Sequence, residues 1–139
     1  PAVRDIADAT YVAATFMPAG RGLLPFAPVH VEQPWRTGRT PGDLTIRWVR
    51  RSRDLSADAW EIGEPPLAEA TEAYEVDIHN GVTLKRTLTS NTPSVLYSAA
   101  AQAADFGAPL GPGQSFTVRI FQISARLGRG SEAITTIFT

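Results

Sequence analysis

The clearest periodicity in the chain is an alternation near its end. Phe116, Val118 and Ile120 fall on one side and Thr117 and Arg119 on the other, directly after the turn-forming run Leu110-Gly111-Pro112-Gly113. Side chains of a strand point to opposite faces in turn, so this pattern predicts a half-buried β-strand. It runs through Phe121-Gln122-Ile123-Ser124 and is the longest such run in the chain. A strand of that reach belongs at the centre of a sheet, and the shorter apolar runs are read as its neighbours.

Taken in order, Pro28-Val29-His30-Val31-Glu32 alternates behind a proline and predicts an edge strand. Leu44, Ile46 and Trp48 share a face over residues 43–50, a second strand. Residues 53–71 contain Pro65-Pro66 and read as a long loop, tacked down by Trp60 and Leu67. Tyr74, Val76 and Ile78 form the inward face of a third strand, followed by Asn80-Gly81, read as a type I′ hairpin turn into a fourth strand over 82–89. A short strand over 94–97 precedes the Ala-rich stretch 98–106, a brief helix closed by Gly107. After the long strand, Leu127-Gly128-Arg129-Gly130 predicts a turn and 133–138 a last strand. The fold class expected is all-β: an antiparallel two-sheet sandwich of about seven strands over 28–139, with one helix in a crossover. Its core comprises Trp48, Tyr74, Val76, Phe116, Val118 and Ile120.

Residues 1–27 do not fit that pattern. Pro18, Gly20, Gly22 and Pro25 interrupt the run Tyr11 to Met17, so this stretch is read as an arm to a preceding part of a larger protein. Leu23, Leu24 and Phe26 are its contact patch. The hydrophobic content of 43% suits a globular chain, and no apolar run has the length of a membrane span. A net charge of −1 argues against nucleic acid as a partner.

Charge is distributed in blocks. Arg36, Arg39, Arg47, Arg50, Arg51 and Arg53 precede Asp54, Asp58, Glu61, Glu64, Glu69, Glu72, Glu75 and Asp77. Blocks of opposite sign so close together are read first as a self-neutralising surface, and alternatively as a docking face for a charged partner. Arg50, Arg51, Arg53, Asp58, Trp60 and Glu61 therefore join Leu23, Leu24 and Phe26 as the candidate interaction surface.

Candidate chemistry is sparse. There is no cysteine, and His30 and His79 are the only histidines, both read as strand residues. No Ca²⁺-loop motif and no phosphate-binding glycine loop before a helix are present, so no catalytic, metal or cofactor residue is assigned. Gly128-Arg129-Gly130 is followed by Ser131 and Glu132, so an Arg-Gly-Asp adhesion motif is absent.

Two resemblances add to this reading. Trp48, the Tyr74-x-Val76-x-Ile78 triplet and Leu110-x-Pro112-x-x-x-Phe116-x-Val118-x-Ile120 resemble the signature positions of fibronectin type III domains. The chain departs from them in its long loop after the second strand and in Phe116, which stands where the family has the tyrosine of its corner motif. Without that hydroxyl, the corner is expected to hold by packing and Pro112.

Longer segments are similar to one phage-derived family. They include Gly22-Leu23-Leu24-Pro25-Phe26-Ala27-Pro28-Val29-His30, residues 42–53 (GDLTIRWVRRSR), Asp58-Ala59-Trp60, Glu72-Ala73-Tyr74-Glu75-Val76, Gln102-Ala103-Ala104-Asp105-Phe106-Gly107 and residues 118–125 (VRIFQISA). They resemble the C-terminal part of the large baseplate, or host-specificity, protein of gene transfer agents and related siphophages of alphaproteobacteria. That resemblance implies a non-enzymatic module of a tail-tip baseplate, assembled in the bacterial cytoplasm. It further implies a homotrimer around the tail axis, hub and distal tail proteins as neighbours, and contact with a host cell-envelope component. A carbohydrate- or receptor-binding module is the alternative.

Overall fold

The computed structural model describes residues 23–32, 39–52, 67 and 69–139. Within them seven strands and one helix follow in order: β1 (Val29–Glu32), β2 (Leu44–Val49), β3 (Tyr74–Asn80), β4 (Thr83–Ser90), β5 (Ser94–Tyr97), α1 (Ala99–Phe106), β6 (Ser115–Ser124) and β7 (Gly128–Phe138). They build two antiparallel sheets, β1-β2-β5 and β4-β3-β6-β7.

Each sheet turns its apolar face inward, as alternation requires. Leu44, Ile46, Trp48, Val95 and Tyr97 meet Tyr74, Val76, Ile78, Phe116, Val118, Ile120 and Ile137 in one core. The register holds the faces together: Val76 lies opposite Ile120 and Ile78 opposite Val118. All six core residues read from the alternation are buried. Trp48 meets Tyr74 edge-on at 5.1 Å, and Phe116 sits 6.0 Å from the Tyr97 ring and 6.1 Å from that of Phe106. β6 lies between β3 and β7 and is the interior strand expected, but length was not the reason: β7, with 11 residues to its 10, is longer and forms the sheet edge.

The helix carries the crossover from β5 in one sheet to β6 in the other. Ser98 caps it, its hydroxyl accepting from Ala101 N at 3.2 Å, and Gly107 closes it in the left-handed region at φ 88°.

Three local expectations are corrected. The β3–β4 turn has Gly81 and Val82 as its central residues, with Asn80 paired to Thr83. Gly81 takes φ 58° and Val82 has no positive φ, the signature of a II′ turn rather than I′. A bulge between Ile78 and His79 shifts the pairing by one residue and moves the turn along. Secondly, the β6–β7 turn falls at 125–127, with Gly128 at φ 74°. β7 therefore starts at Gly128, and Arg129 and Gly130 are strand residues, reached through an irregularity opposite Phe121–Ile123.

Thirdly, the corner before β6 does not rest on packing and Pro112 alone. The Leu110 N–H donates to Gln102 Oε1 at 3.0 Å, and its carbonyl accepts from Arg39 Nη1 at 3.0 Å. Gln102, fully buried on α1, also donates through Nε2 to Tyr97 O at 2.7 Å and Gly42 O at 3.0 Å. Arg39 further donates to the carbonyls of Gly42 and Asp43. Two side chains thus supply the backbone bonds that a corner hydroxyl supplies elsewhere.

Candidate interaction surface

The segment before β1 lies against the sandwich. Pro25 is fully buried, and its carbonyl accepts from Ser131 N of β7 at 2.9 Å. The contact needs glycine at position 130: a Cβ there would stand 2.6 Å from Pro25 O and 2.7 Å from Pro25 Cβ. Residues 23–28 thereby bridge β7 of one sheet and β1 of the other. Pinning Pro25 leaves its neighbours outward, with Leu23 61% and Phe26 41% exposed and Leu24 half-buried.

Arg51 leaves the end of β2 exposed, and its guanidinium lies 5.2 Å from the Phe26 ring centroid, a cation–π contact. Arg50 instead pairs with Glu72, Nη1 to Oε1 at 3.0 Å, and the same oxygen accepts from the Tyr74 hydroxyl at 2.8 Å. Burial, reinforced by that carboxylate, pushes the Tyr74 hydroxyl well above the ordinary tyrosine range. Leu23 also lines an open hollow with Glu69, Ala70, Ser124, Ala125, Arg126 and Leu127. Among the described residues Glu69 is the acid that lines it.

Of the nine residues expected at an interaction surface, Leu23, Leu24, Phe26, Arg50 and Arg51 are therefore placed. Phe26 and Arg51 touch, whereas Arg50 is turned to the acidic side. Arg53, Asp58, Trp60 and Glu61 lie outside the described residues. His30, exposed on β1, and His79, half-buried on β3, stand in different sheets. Among the described residues no three His, Cys, Asp or Glu side chains gather as a metal site. No helix among them is long and apolar enough to cross a membrane.

The outer face of the larger sheet carries a charged cluster that the sequence reading missed. Arg129 forks onto Asp77 at 2.6 and 3.0 Å, reaches Glu75 Oε2 at 2.6 Å, and lies 4.5 Å from the Phe121 ring centroid. Asp77 also accepts from Thr87 Oγ1 at 2.6 Å. Burial alone would raise the Asp77 carboxyl, but the hydrogen bonds from Arg129 and Thr87 outweigh it and hold it below the usual carboxylate range. With Arg129 assigned to a turn, the cluster could not be foreseen. Its one sequence signal was an acid at alternate positions, Glu75 and Asp77, on the polar face of a strand.

A second pair binds the helix to the sheet. Arg86 of β4 grips Asp105 at 2.7 and 3.0 Å, and the Tyr97 hydroxyl donates to the same carboxylate at 2.8 Å. Burial would again raise Asp105, and the bonds from Arg86 and then Tyr97 bring it below the ordinary range.

The sandwich is similar to solved structures. Against the fibronectin type III domain of human fibronectin type III domain containing protein 3 the TM-score is 0.50 at 12% identity, covering 83% of this chain and 85% of that one. Against domains d3–d4 of the rat CD45 extracellular region it is 0.51 at 11% identity, covering 84% of this chain and 50% of that one. The chain thus spans half the length of the CD45 fragment. No protein-family model matches the chain. No curated protein matches it either. Strand order, helix position and these likenesses converge: the chain folds as an all-β, two-sheet sandwich of fibronectin type III-like architecture.

Proposed function

We propose that this domain is a non-enzymatic structural and interaction module of a phage-like tail-tip baseplate, in a particle of the gene transfer agent type. The observation that carries the interaction part is the segment 23–28. A buried proline anchors it, and Leu23 and Phe26 stay exposed beside Arg51. Apolar side chains held outward by a rigid anchor form a preorganised contact, which lowers the ordering cost of association. The baseplate part rests on the sequence segments that resemble the large tail-tip protein. In this reading the sandwich is a rigid spacer, trimeric about the tail axis, that joins hub and distal tail proteins and meets the host envelope.

A receptor-binding lectin-like role would call for a face of free aromatic rings. Phe121 is covered by the Arg129 guanidinium, which argues against its serving such a face. The deciding experiment compares co-purification of the full chain with tail proteins against its binding to host cells and glycan arrays. Association with tail proteins that is lost in a Leu23→Ser, Phe26→Ser double variant supports the scaffold. Specific glycan binding that disappears with Trp60→Ala, without tail-protein association, overturns it.

A further inference from the structure

The chain contains two asparagines, Asn80 and Asn91, and the fold treats them differently. Asn80 ends β3 at the hairpin tip, exposed, with Gly81 after it and Val82 98% exposed beyond. No hydrogen bond holds its side-chain amide among the described residues. Beyond its chain neighbours, a Cβ added at Gly81 would meet nothing within 4 Å, and among the described residues no hydrogen bond engages the Gly81 N–H. Asn91 is followed by β-branched Thr92, whose N–H donates to Ser90 Oγ at 3.1 Å. The nucleophile that an asparagine needs from its neighbour is engaged there and free at the hairpin tip.

We propose that Asn80–Gly81 is a self-modification site, at which the domain converts Asn80 to aspartate and isoaspartate without an enzyme. The Gly81 nitrogen loses its proton to hydroxide and attacks Asn80 Cγ. The new N–Cγ bond forms, the Cγ–Nδ2 bond breaks, and ammonia leaves, giving a succinimide. Water then opens the ring at either carbonyl. Opening at Cγ gives aspartate, and opening at the main-chain carbonyl gives isoaspartate. The attack requires Asn80 to leave its extended conformation, which disrupts the terminal Asn80–Thr83 pair. The bulge between Ile78 and His79 separates that pair from the regular ladder, so the tip opens alone. Either product adds a negative charge to the tip, and isoaspartate also lengthens the main chain by one carbon within the pair.

The test uses the folded full chain, incubated at mildly alkaline pH and mapped with trypsin. Residues 54–85 and 87–119 each form one tryptic peptide, so the two asparagines are read separately. Asn80 is expected to convert at least about ten-fold faster than Asn91, equivalent to ~1.4 kcal/mol between the barriers, with isoaspartate among the products. An Asn80→Gln chain is expected to form acidic species at no more than about a tenth of the parent's rate, the ratio set by the same ~1.4 kcal/mol. Conversion of Asn80 only in urea overturns the proposal, as do equal rates at the two sites or acidic species that form at the parent's rate in the Asn80→Gln chain.

Discussion

Replacing Gln102 with leucine tests how the corner before β6 is held. Leucine has a similar size and suits a helix, so the substitution removes hydrogen bonding with little change of volume. The Leu110 N–H, which has Gln102 Oε1 as its acceptor, is left buried and unsatisfied at a cost of ~1–3 kcal/mol. The bonds to Tyr97 O and Gly42 O contribute about 0.5–1.5 kcal/mol each. Gly42 O keeps its bond from Arg39, which moderates the loss. Against roughly 1 kcal/mol from the more apolar side chain, the net loss is about 1–5 kcal/mol. That is a large part of the ~5–15 kcal/mol typical of a domain.

Urea unfolding should show it as a midpoint lower by roughly 1–2 M with an unchanged slope. A midpoint within about 0.3 M of the parent's refutes the reasoning. Gln102→Glu refines the test. Its carboxylate can still accept from Leu110 N but faces two carbonyl oxygens in a dry site, which raises its pKa. The variant should therefore be least stable above that raised pKa and recover as pH falls through it, before general acid unfolding begins. Loss of stability at every pH to the same extent would contradict the assignment.

Phe116→Ala should cost ~3–5 kcal/mol by opening a cavity between Tyr97 and Phe106; a variant that melts like the parent rejects the register of β6. Phe116→Tyr should bring no gain, because both backbone groups of Leu110 are already engaged, and thermal melting will check it. Gly130→Ala should cost ~1–3 kcal/mol as the new Cβ displaces Pro25, and should speed proteolysis between residues 21 and 28. Asp77 and Asp105, both depressed, contribute stability that is complete above the unfolded aspartate pKa of ~3.9. It is lost as pH falls through their lower folded values, so denaturant midpoints should fall together below that pH and change less in an Asp77→Asn, Asp105→Asn double variant.

What the sequence made legible was local. The alternation of Leu44, Ile46 and Trp48, and of Phe116, Val118 and Ile120, reports burial directly, because strand geometry repeats every two residues. Ser98 and Gly107 announced the helix because caps are local chemistry. The corner latch was hidden, since Gln102 meets Gly42 across 60 residues and Arg39 meets Leu110 across 71. An Ala-rich helix gives no sign that its one glutamine faces inward. The start of β7 is hidden in the sequence for a related reason. Glycines on both sides of Arg129 suggest a turn, but Gly130 is glycine because Pro25 packs on it, a contact made over a hundred residues away in the chain. The interaction surface was legible as a list of exposed residue types, and the pairing of Arg50 with Glu72 and of Arg51 with Phe26 needed the fold.

The proposed docking of residues 23–28 in a tail-tip baseplate can be seen or refused in a reconstruction of the intact particle. Leu23 and Phe26 are then expected to be covered by a neighbouring tail protein or by a preceding part of the same polypeptide, with three copies about the tail axis. Finding that face bare, with the domain pointing into solvent away from every other subunit, would contradict it.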